Sequence, residues 1–376
     1  MRQGLIAVVL MVLAGGTAVA DSAKDTLPQF TIVGDGGRCD DVDIPDASAR
    51  AFRSASGAIT VFATHYVNRA FRGSNFSTLS KQCRISYEGS LNVDSASFDY
   101  KTWIASTWAD SGGDVYALGH NEYQAHEIPG KCHFSNYSSC WYNSVVLLKS
   151  SDDGRNFQKI EDRTKKAVLA PNFTDQVGQG HPRGFTSPTN LVKWNGYLYT
   201  LVGYSGAGLN ERGRCLLRTA LPISLNSWEI LTESGFHAPN QTLYSGSKVA
   251  DCKEVVGFKG FVGSISKIRN SDWFVALVAE DDNTGGHIRY YFSQDLINWG
   301  NKKNLMDLSL FWSKSCDGGA KYSYPSLIDP ASQSKNFDDV SERPYLFLVR
   351  SSCEAGKNRQ LVRIPVKLDI SEYTSR

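Results

Sequence analysis

The sequence predicts an all-β protein, a β-propeller of five four-stranded antiparallel blades, on three observations. First, 17 tyrosines, 18 phenylalanines and 33 glycines occur among 376 residues, and aromatic side chains suit strands while glycines suit turns. Second, residues 187–231 have the pattern of a four-stranded meander. Third, similar patterns recur at intervals of roughly 55 to 80 residues, as expected of a propeller. A β-sandwich of similar strand count is the alternative architecture.

The clearest meander starts with Ser187-Pro-Thr-Asn-Leu-Val-Lys-Trp194, turns at Asn195-Gly196 and continues from Tyr197 to Tyr204. An Asn-Gly pair between two apolar runs is the strongest short indication of a β-hairpin. Two further runs, Arg214 to Thr219 and Trp228 to Leu231, complete four strands.

Repeating that pattern along the chain predicts five blades, at roughly residues 47–95, 98–165, 183–235, 258–305 and 320–370. Their second strands are apolar almost throughout, which favours strands covered on both faces by neighbouring blades. The fifth copy has no clear outer strand after Ile364. We therefore expect Gln29 to Val33 to pair there and help close the ring.

The first 20 residues predict a secretory signal peptide. A basic start, a short apolar run from Leu5 to Leu13 and Ala18-Val-Ala20 before Asp21 match the cleavage pattern, and the run is too short to span a bilayer. Residues 21–376 are then a single propeller domain, secreted or periplasmic and monomeric. The formal net charge of +2 gives no case for nucleic acid, and no other apolar run is long enough for a membrane helix.

Eight cysteines in an exported chain favour disulfides over metal ligands. We predict Cys132–Cys140, because both lie in one loop, and also Cys215–Cys252 and Cys316–Cys353. The sequence indicates no cofactor. A central calcium ion is conceivable in this class of propeller, but no ligand spacing here calls for it.

The segment Ser150-Ser-Asp-Asp-Gly-Arg-Asn-Phe157 resembles the Asp-box of sialidases and related propellers. A shortened form of the Asp-box occurs in five-bladed glycosidases of the arabinanase and fructosidase kind, and it is similar to Ser293-Gln-Asp-Leu-Ile-Asn-Trp299. The start of an innermost strand in those enzymes is similar to Tyr324-Pro-Ser-Leu-Ile-Asp329. Physically, the Asp-box is a turn in which a carboxylate accepts backbone N–H groups. Its aspartates are therefore structural, and the resemblance implies a carbohydrate-active enzyme.

Function is expected on the face where innermost strands begin and where second strands connect to third strands. Glycoside hydrolysis usually uses two carboxylates, and the candidate catalytic residues are Asp46, Glu122 and Glu280. Arginines, aromatic rings and polar groups around a funnel suit a sugar. The candidate substrate-binding residues are Asp43, Arg50, His65, Arg69, His120, Tyr123, Asn190, Tyr204, Tyr324 and Arg350.

Asp46 comes first, because the resembled glycosidases place their aspartate base or nucleophile before the innermost strand of the first blade. They also carry an aspartate at the start of blade two and a glutamate acid at the start of blade three. This chain has Thr102-Trp103 and Thr186-Ser187-Pro188 there. The acid must then come from a loop, and Glu122, between His120 and His126, is the first candidate. A turn-capping role for Asp46 and a surface role for either glutamate are the alternatives.

Three other functions stay open at this point. A non-catalytic, lectin-like propeller would explain the missing carboxylates of blades two and three. A sialidase would need three arginines on one carboxylate, for which Arg50, Arg69 and Arg350 are available. A polysaccharide lyase would use His120 and Tyr123 as base and acid.

Overall fold

The computed structural model describes residues 29–34, 37–206, 208, 211–239, 252–312, 319–352 and 358–374. Within these ranges the regular secondary structure is almost wholly β-strand, which confirms the predicted class. The short 3-10 helices are Ser95–Ser97, Ala125–Glu127 and Ser371–Tyr373. The predicted signal peptide and the predicted Cys316–Cys353 pair lie outside the described residues. No helix in the described part of the chain has the length and apolar character needed to cross a membrane.

The strands form antiparallel meanders, numbered here along the chain. Meander 1 consists of β2 (Arg50–Arg53), β3 (Ile59–Phe62), β4 (Asn68–Gly73) and β5 (Ser80–Tyr87). Meander 2 consists of β6 (Lys101–Ala109), β7 (Val115–Gln124), β8 (Trp141–Ser150) and β9 (Gln158–Ile160). Both follow the predicted strand order, but β7 extends beyond its predicted end at His120, because Glu122 and Gln124 pair with Asn143 and Trp141 of β8. Glu122 is thus on a strand and not in a loop.

Meander 3 has an interrupted inner edge. Its strands are β10 (Arg183–Thr186), β11 (Val192–Trp194), β12 (Tyr197–Ser205), β13 (Arg212–Ala220), β14 (Trp228–Thr232) and β15 (Gly235–His237). We predicted one inner strand from Ser187 to Trp194. Instead Ser187, with φ 48°, and the following Pro188 separate β10 from β11, because a left-handed residue and a proline both interrupt a ladder. Both short strands pair with β12, and β10 also pairs in parallel with β8.

Meander 4 consists of β16 (Phe261–Ile268), β17 (Phe274–Asp282), β18 (Gly285–Ser293) and β19 (Gly300–Asp307), with the two-residue β21 (Asp339–Val340) beside β16. Meander 5 consists of β20 (Ala320–Ile328), β22 (Tyr345–Ser352) and β23 (Arg359–Pro365). Its outer strand is β1 (Thr31–Ile32), whose residues pair with Arg363 and Val362. The pairing predicted for Gln29 to Val33 is therefore present.

Apolar side chains join the meanders in a ring. One buried cluster runs from meander 1 through meander 2 into meander 3, a second joins meanders 3 and 4, and a third joins meanders 4 and 5. A fourth cluster packs Phe71 and Val61 of meander 1 against Phe347 and Leu361 of meander 5. The second strands are covered on both faces as predicted; every residue of β7 is buried.

Disulfides and side-chain hydrogen bonds stabilise the connections between strands. The disulfides Cys132–Cys140 and Cys215–Cys252 are present as predicted, together with Cys39–Cys83. In the turn between β8 and β9, Asp152 Oδ1 accepts from the backbone N–H groups of Arg155 and Asn156, at 3.1 and 2.9 Å, while Phe157 is buried beneath. Asp295 binds backbone N–H groups in the same way between β18 and β19. Neither aspartate lines a cavity described below.

Candidate active site

A cavity opens where the inner strands of all five meanders begin. Its volume, including the space that is open to solvent, is about 440 Å³. Meander 1 contributes residues just before and in β2, and meander 2 contributes β6 and β7. The other three contribute the segment before β11, the first residue of β16 and a residue in the middle of β20. The lining residues are Asp46, Ala47, Ser48, Arg50, Trp103, Ala105, His120, Glu122, Ser187, Pro188, Phe261 and Tyr324.

Asp46 is the most heavily hydrogen-bonded carboxylate in this cavity. Its Oδ1 accepts from the guanidinium of Arg359, and its Oδ2 accepts from the indole N–H of Trp103 at 3.2 Å. The phenol of Tyr324 is a third partner, and His65 Nε2 lies 3.7 Å from Oδ2. The pKa of Asp46 lies above its ordinary value, because burial raises it by more than Arg359, Tyr324 and Trp103 lower it by stabilising the ionised form.

Glu122 lines the same cavity without a hydrogen-bonded cation. Its Oε2 accepts from the amide of Gln124 at 2.8 Å, and its Oε1 lies 3.7 Å from His120 Nε2. Lys101, opposite Glu122 in the ladder, directs its ammonium to Gln124 and Glu127 instead. Burial raises the pKa of Glu122 to about 8, and the nearby charge of Asp46 adds to the effect. Glu122 therefore keeps its proton at neutral pH.

Two neutral histidines stand beside these carboxyls. Burial lowers the pKa of both His65 and His120 to about 4, so neither carries charge at pH 7. Nδ1 of His65 and Nε2 of His120 are buried without a hydrogen-bond partner. A buried polar atom left unpaired costs free energy, so each nitrogen is available to water or to a ligand hydroxyl.

Arg50 forms the floor of the cavity and has a structural task. Its guanidinium donates to the backbone carbonyls of Ala105, Ala49 and Pro188 at 2.5, 3.2 and 3.2 Å, and to the hydroxyl of Ser326 at 3.4 Å. These acceptors belong to meanders 2, 1, 3 and 5. Burial lowers the pKa of Arg50 to about 9, which still leaves it a cation at neutral pH. It ties the inner strands together at the cavity.

The cavity wall includes two residues with left-handed backbone conformation. Ser187 has φ 48° and Tyr324 has φ 53°, a conformation that costs residues other than glycine on the order of 1–3 kcal/mol. Tyr324 lies where the pairing of β20 with β22 shifts register, between Ser323 and Ser326. That irregularity turns its hydroxyl onto Asp46, and the same burial raises the pKa of Tyr324 well above its ordinary value.

The structure brings six of the predicted site residues together. Five line the cavity and the sixth, His65, contacts Asp46. The six are Asp46, Glu122, Arg50, His65, His120 and Tyr324. Of these, Arg50 was expected to bind substrate directly, whereas most of its donors are taken by backbone carbonyls.

Glu280 is not among them. Its carboxylate accepts from Arg289 Nη1 at 2.6 Å and from the phenol of Tyr291, and these partners, against burial, lower the pKa of Glu280. It is an ion-paired carboxylate of meander 4 outside the cavity.

The other predicted binding residues also have partners elsewhere. Asp43 pairs with Lys81 at 2.8 Å, and Arg69 pairs with Asp40. Tyr123 is buried and donates its hydroxyl to the carbonyl of Val93 at 2.8 Å. The remaining three are Asn190, bonded to the backbone of Ile265, Arg350, bonded to Gln360, and Tyr204, which lines a second cavity.

These positions remove two of the alternative mechanisms. Of the three arginines only Arg50 lines the cavity, while Arg69 pairs with Asp40 and Arg350 bonds to Gln360. The arginine set that a sialidase needs is therefore not assembled from them in this cavity. Tyr123 does not reach the cavity that His120 lines, so the proposed lyase pair is not assembled either.

Arg359 is a residue of the candidate site that sequence reasoning missed. It is separated from Asp46 by 313 positions, and no local pattern connects them. Trp103 and Phe261 were seen only as strand residues, although their rings line the cavity. Each lies near the start of an innermost strand, and this position could have indicated that they belong to the site.

Neither a known protein family nor a curated protein sequence matches the chain. Among solved structures, the chain is similar to a family 117 glycoside hydrolase produced by the marine bacterium Zobellia galactanivorans, at 12% identity, over 93% of this chain and 94% of that one, with a TM-score of 0.51. The fold is a β-propeller.

Other propellers are similar over comparable lengths. An endo-arabinase from Bacteroides thetaiotaomicron matches at 12% identity, over 93% of this chain and 100% of that one, with a TM-score of 0.49. The catalytic domain of a Coprinopsis cinerea GH62 alpha-L-arabinofuranosidase matches at 10% identity, over 87% and 92%, also with a TM-score of 0.49. By name these proteins are a glycoside hydrolase, an endo-arabinase and an arabinofuranosidase, and what the chain shares with them is the fold.

Proposed function

We propose that this protein is a secreted glycoside hydrolase in which Glu122 is the general acid and Asp46 is the nucleophile or the general base. The observation that carries the proposal is the convergence of these two carboxyls on one cavity, where Asp46 accepts from a guanidinium and Glu122 has no hydrogen-bonded cation. Glycoside hydrolysis typically needs one carboxyl that holds its proton and one that has released it.

The protonation states follow from the contacts. Glu122, with a pKa of about 8, is protonated at pH 7 and has no hydrogen-bonded cation to remove that preference. Asp46 has Arg359, Trp103 and Tyr324 to stabilise its ionised form. Glu122 would donate its proton to the glycosidic oxygen as the bond to the anomeric carbon breaks. Asp46 would add to that carbon, or take a proton from the attacking water.

The rest of the lining suits a sugar. His65 and His120 each offer one unpaired ring nitrogen to hydroxyls, and the rings of Trp103 and Phe261 offer apolar faces. Similarity to a family 117 glycoside hydrolase agrees with a carbohydrate substrate, although a shared fold alone does not fix the reaction.

Secretion is supported by the predicted signal peptide together with three disulfides, which persist in oxidising compartments. The four clusters that join successive meanders, and the last meander to the first, support one domain of five blades with one meander in each.

The second candidate function is glycan binding without hydrolysis. The ion pair between Arg359 and Asp46 favours it, because a carboxylate held by an arginine is a weaker nucleophile. In this case the cavity would bind a sugar and release it unchanged.

The test is release of reducing sugar from arabinan, arabinoxylan, levan and agarose oligosaccharides, with Glu122→Gln and Asp46→Asn alongside. Loss of the general acid should lower the rate about 10²- to 10⁴-fold. An aryl glycoside whose leaving group needs no proton should restore turnover to Glu122→Gln but not to Asp46→Asn. Glu280→Gln, outside the cavity, is the matched control and should keep the wild-type rate. Sugar binding without release by the wild type would establish the second candidate.

A further inference from the structure

A second, larger cavity lies between meanders 3 and 4 and adjoins the first. Its volume, including the space that is open to solvent, is about 870 Å³. Two residues, Ser187 and Phe261, line both cavities. A chain of sugar residues could therefore occupy both cavities at once. The polar lining residues are Thr186, Ser187, Thr189, Tyr204, Arg212, Arg214, Glu254 and Lys259.

The charge of this cavity is unbalanced. Arg212, Arg214 and Lys259 line it against one carboxylate, Glu254. None of the three cations forms an ion pair with a carboxylate in the described part of the chain. Nearby arginines on the same sheets do: Arg218 pairs with Glu229 at 2.7 Å and Arg289 with Glu280 at 2.6 Å. Three cations without an ion pair therefore line this one cavity.

Arg214 is the fixed member of this group. Its guanidinium donates to the carbonyl of Gly260 and lies 5.5 Å from the ring centre of Phe258. An arginine remains charged at neutral pH even where burial disfavours the charged form. The carboxylates of Glu254 and Glu280 act on the charge of Arg214 from nearby, but neither forms an ion pair with it. The guanidinium therefore retains attraction for an anion, because little water screens it.

The wall opposite β13 is held in place covalently. The Cys215–Cys252 disulfide attaches the segment that carries Glu254, Phe258 and Lys259 to β13, and Val255 N–H donates to the carbonyl of Arg214 at 2.9 Å. Gly213 keeps the space between the walls open, since a Cβ there would lie 2.7 Å from the ring of Tyr204 and 2.8 Å from Glu254.

We propose that this second cavity binds the anionic group, a carboxylate or a sulfate, of the sugar residue next to the one held in the first cavity. The substrate class is then an acidic glycan. Arg212, Arg214 and Lys259 would hold the anion, and the hydroxyls of Thr186 and Tyr204 would bind the sugar ring. This inference rests on the proposed function for the position of the neighbouring sugar.

The test measures binding with Glu122→Gln as the background, so that no probe is consumed. The carboxylate arm compares hexameric oligogalacturonate with its fully methyl-esterified form, which has the same backbone without the charge. The sulfate arm compares a sulfated with an unsulfated dextran oligosaccharide. Calorimetry should show tighter binding of the charged member of at least one pair, weakened by added salt.

Arg212→Ala with Lys259→Ala should weaken binding of that charged probe about tenfold or more, and leave the neutral probe unaffected. Lys166→Ala with Arg343→Ala removes the same two charges from exposed positions outside both cavities, and should change nothing. Equal binding of charged and neutral probes, or equal losses in both double variants, would overturn the proposal. Preference for charged probes without hydrolysis of any glycan would overturn the proposed function alone, whereas hydrolysis restricted to neutral glycans would overturn this inference alone.

Discussion

Replacing Glu122 by glutamine should change how the stability of the protein depends on pH. The pKa of Glu122 is about 8 in the folded protein, against an ordinary value of 4.5. Below about pH 4.5 the carboxyl is protonated whether the chain is folded or not. As the pH rises from there to about 8, the unfolded chain releases the proton while the folded protein keeps it. The free energy of unfolding therefore falls with rising pH over this window.

The size of the effect follows from that pKa difference. One pKa unit corresponds to about 1.4 kcal/mol, and the side chain is only 11% exposed, so solvent screening removes little. Between pH 5 and pH 8 this single group should lower the free energy of unfolding by on the order of 3 kcal/mol. Glutamine carries no titrating proton and can still accept the hydrogen bond from Gln124, so Glu122→Gln should lose this part of the pH dependence.

The assay is urea denaturation of the wild type and Glu122→Gln at intervals from pH 5 to pH 8.5. Glu127→Gln is the matched control, because Lys101 and Tyr100 lower the pKa of Glu127 against burial, and its proton is already absent across the window. The difference in unfolding free energy between wild type and Glu122→Gln should grow with pH, and that between wild type and Glu127→Gln should stay flat. Parallel curves for all three proteins would refute a raised pKa for Glu122.

Further predictions concern activity and the framework. The hydrolytic rate should fall above about pH 8, where Glu122 loses its proton, and a rate that still rises from pH 8 to 9.5 would exclude Glu122 as the acid. Asp152→Ala should lower the free energy of unfolding by about 1–2 kcal/mol, because it removes the acceptor of two backbone N–H groups, yet leave the rate per folded molecule unchanged. Replacing Cys215 and Cys252 by serine should lower the free energy of unfolding by about 2–4 kcal/mol in chemical denaturation. A reducing agent should destabilise the wild type by cleaving this disulfide, but the variant has no disulfide there to cleave.

The strand pattern could be predicted because it depends on neighbours in sequence. The nearly continuous apolar run after the Asn195-Gly196 turn placed β12 correctly, since hairpins need only local contacts. The inner edge of meander 3 differed from the single strand that was predicted. Ser187 adopts a conformation there that depends on packing around the cavity and not on its own side chain.

The candidate site was predictable only as far as topology reaches. Asp46 and Glu122 could be proposed because each lies near an end of a strand that faces the central axis. Arg359 could not, because its contact with Asp46 joins two meanders from opposite ends of the chain. Glu280 was predicted wrongly to lie in the site for a different reason. Its partner Arg289 lies on the adjacent strand, and a sequence does not show which carboxylates are already paired.

The pairing of β1 with β23 brings the two ends of the described chain into one sheet. Contacts between such distant residues form late, because the chain between them must first be ordered. Until they form, the backbone N–H and C=O groups of β23 remain an open strand edge, which another unfolded molecule can join. We therefore expect concentration-dependent aggregation to compete with refolding at this last step, and a separate peptide of residues 29–34 to reduce it.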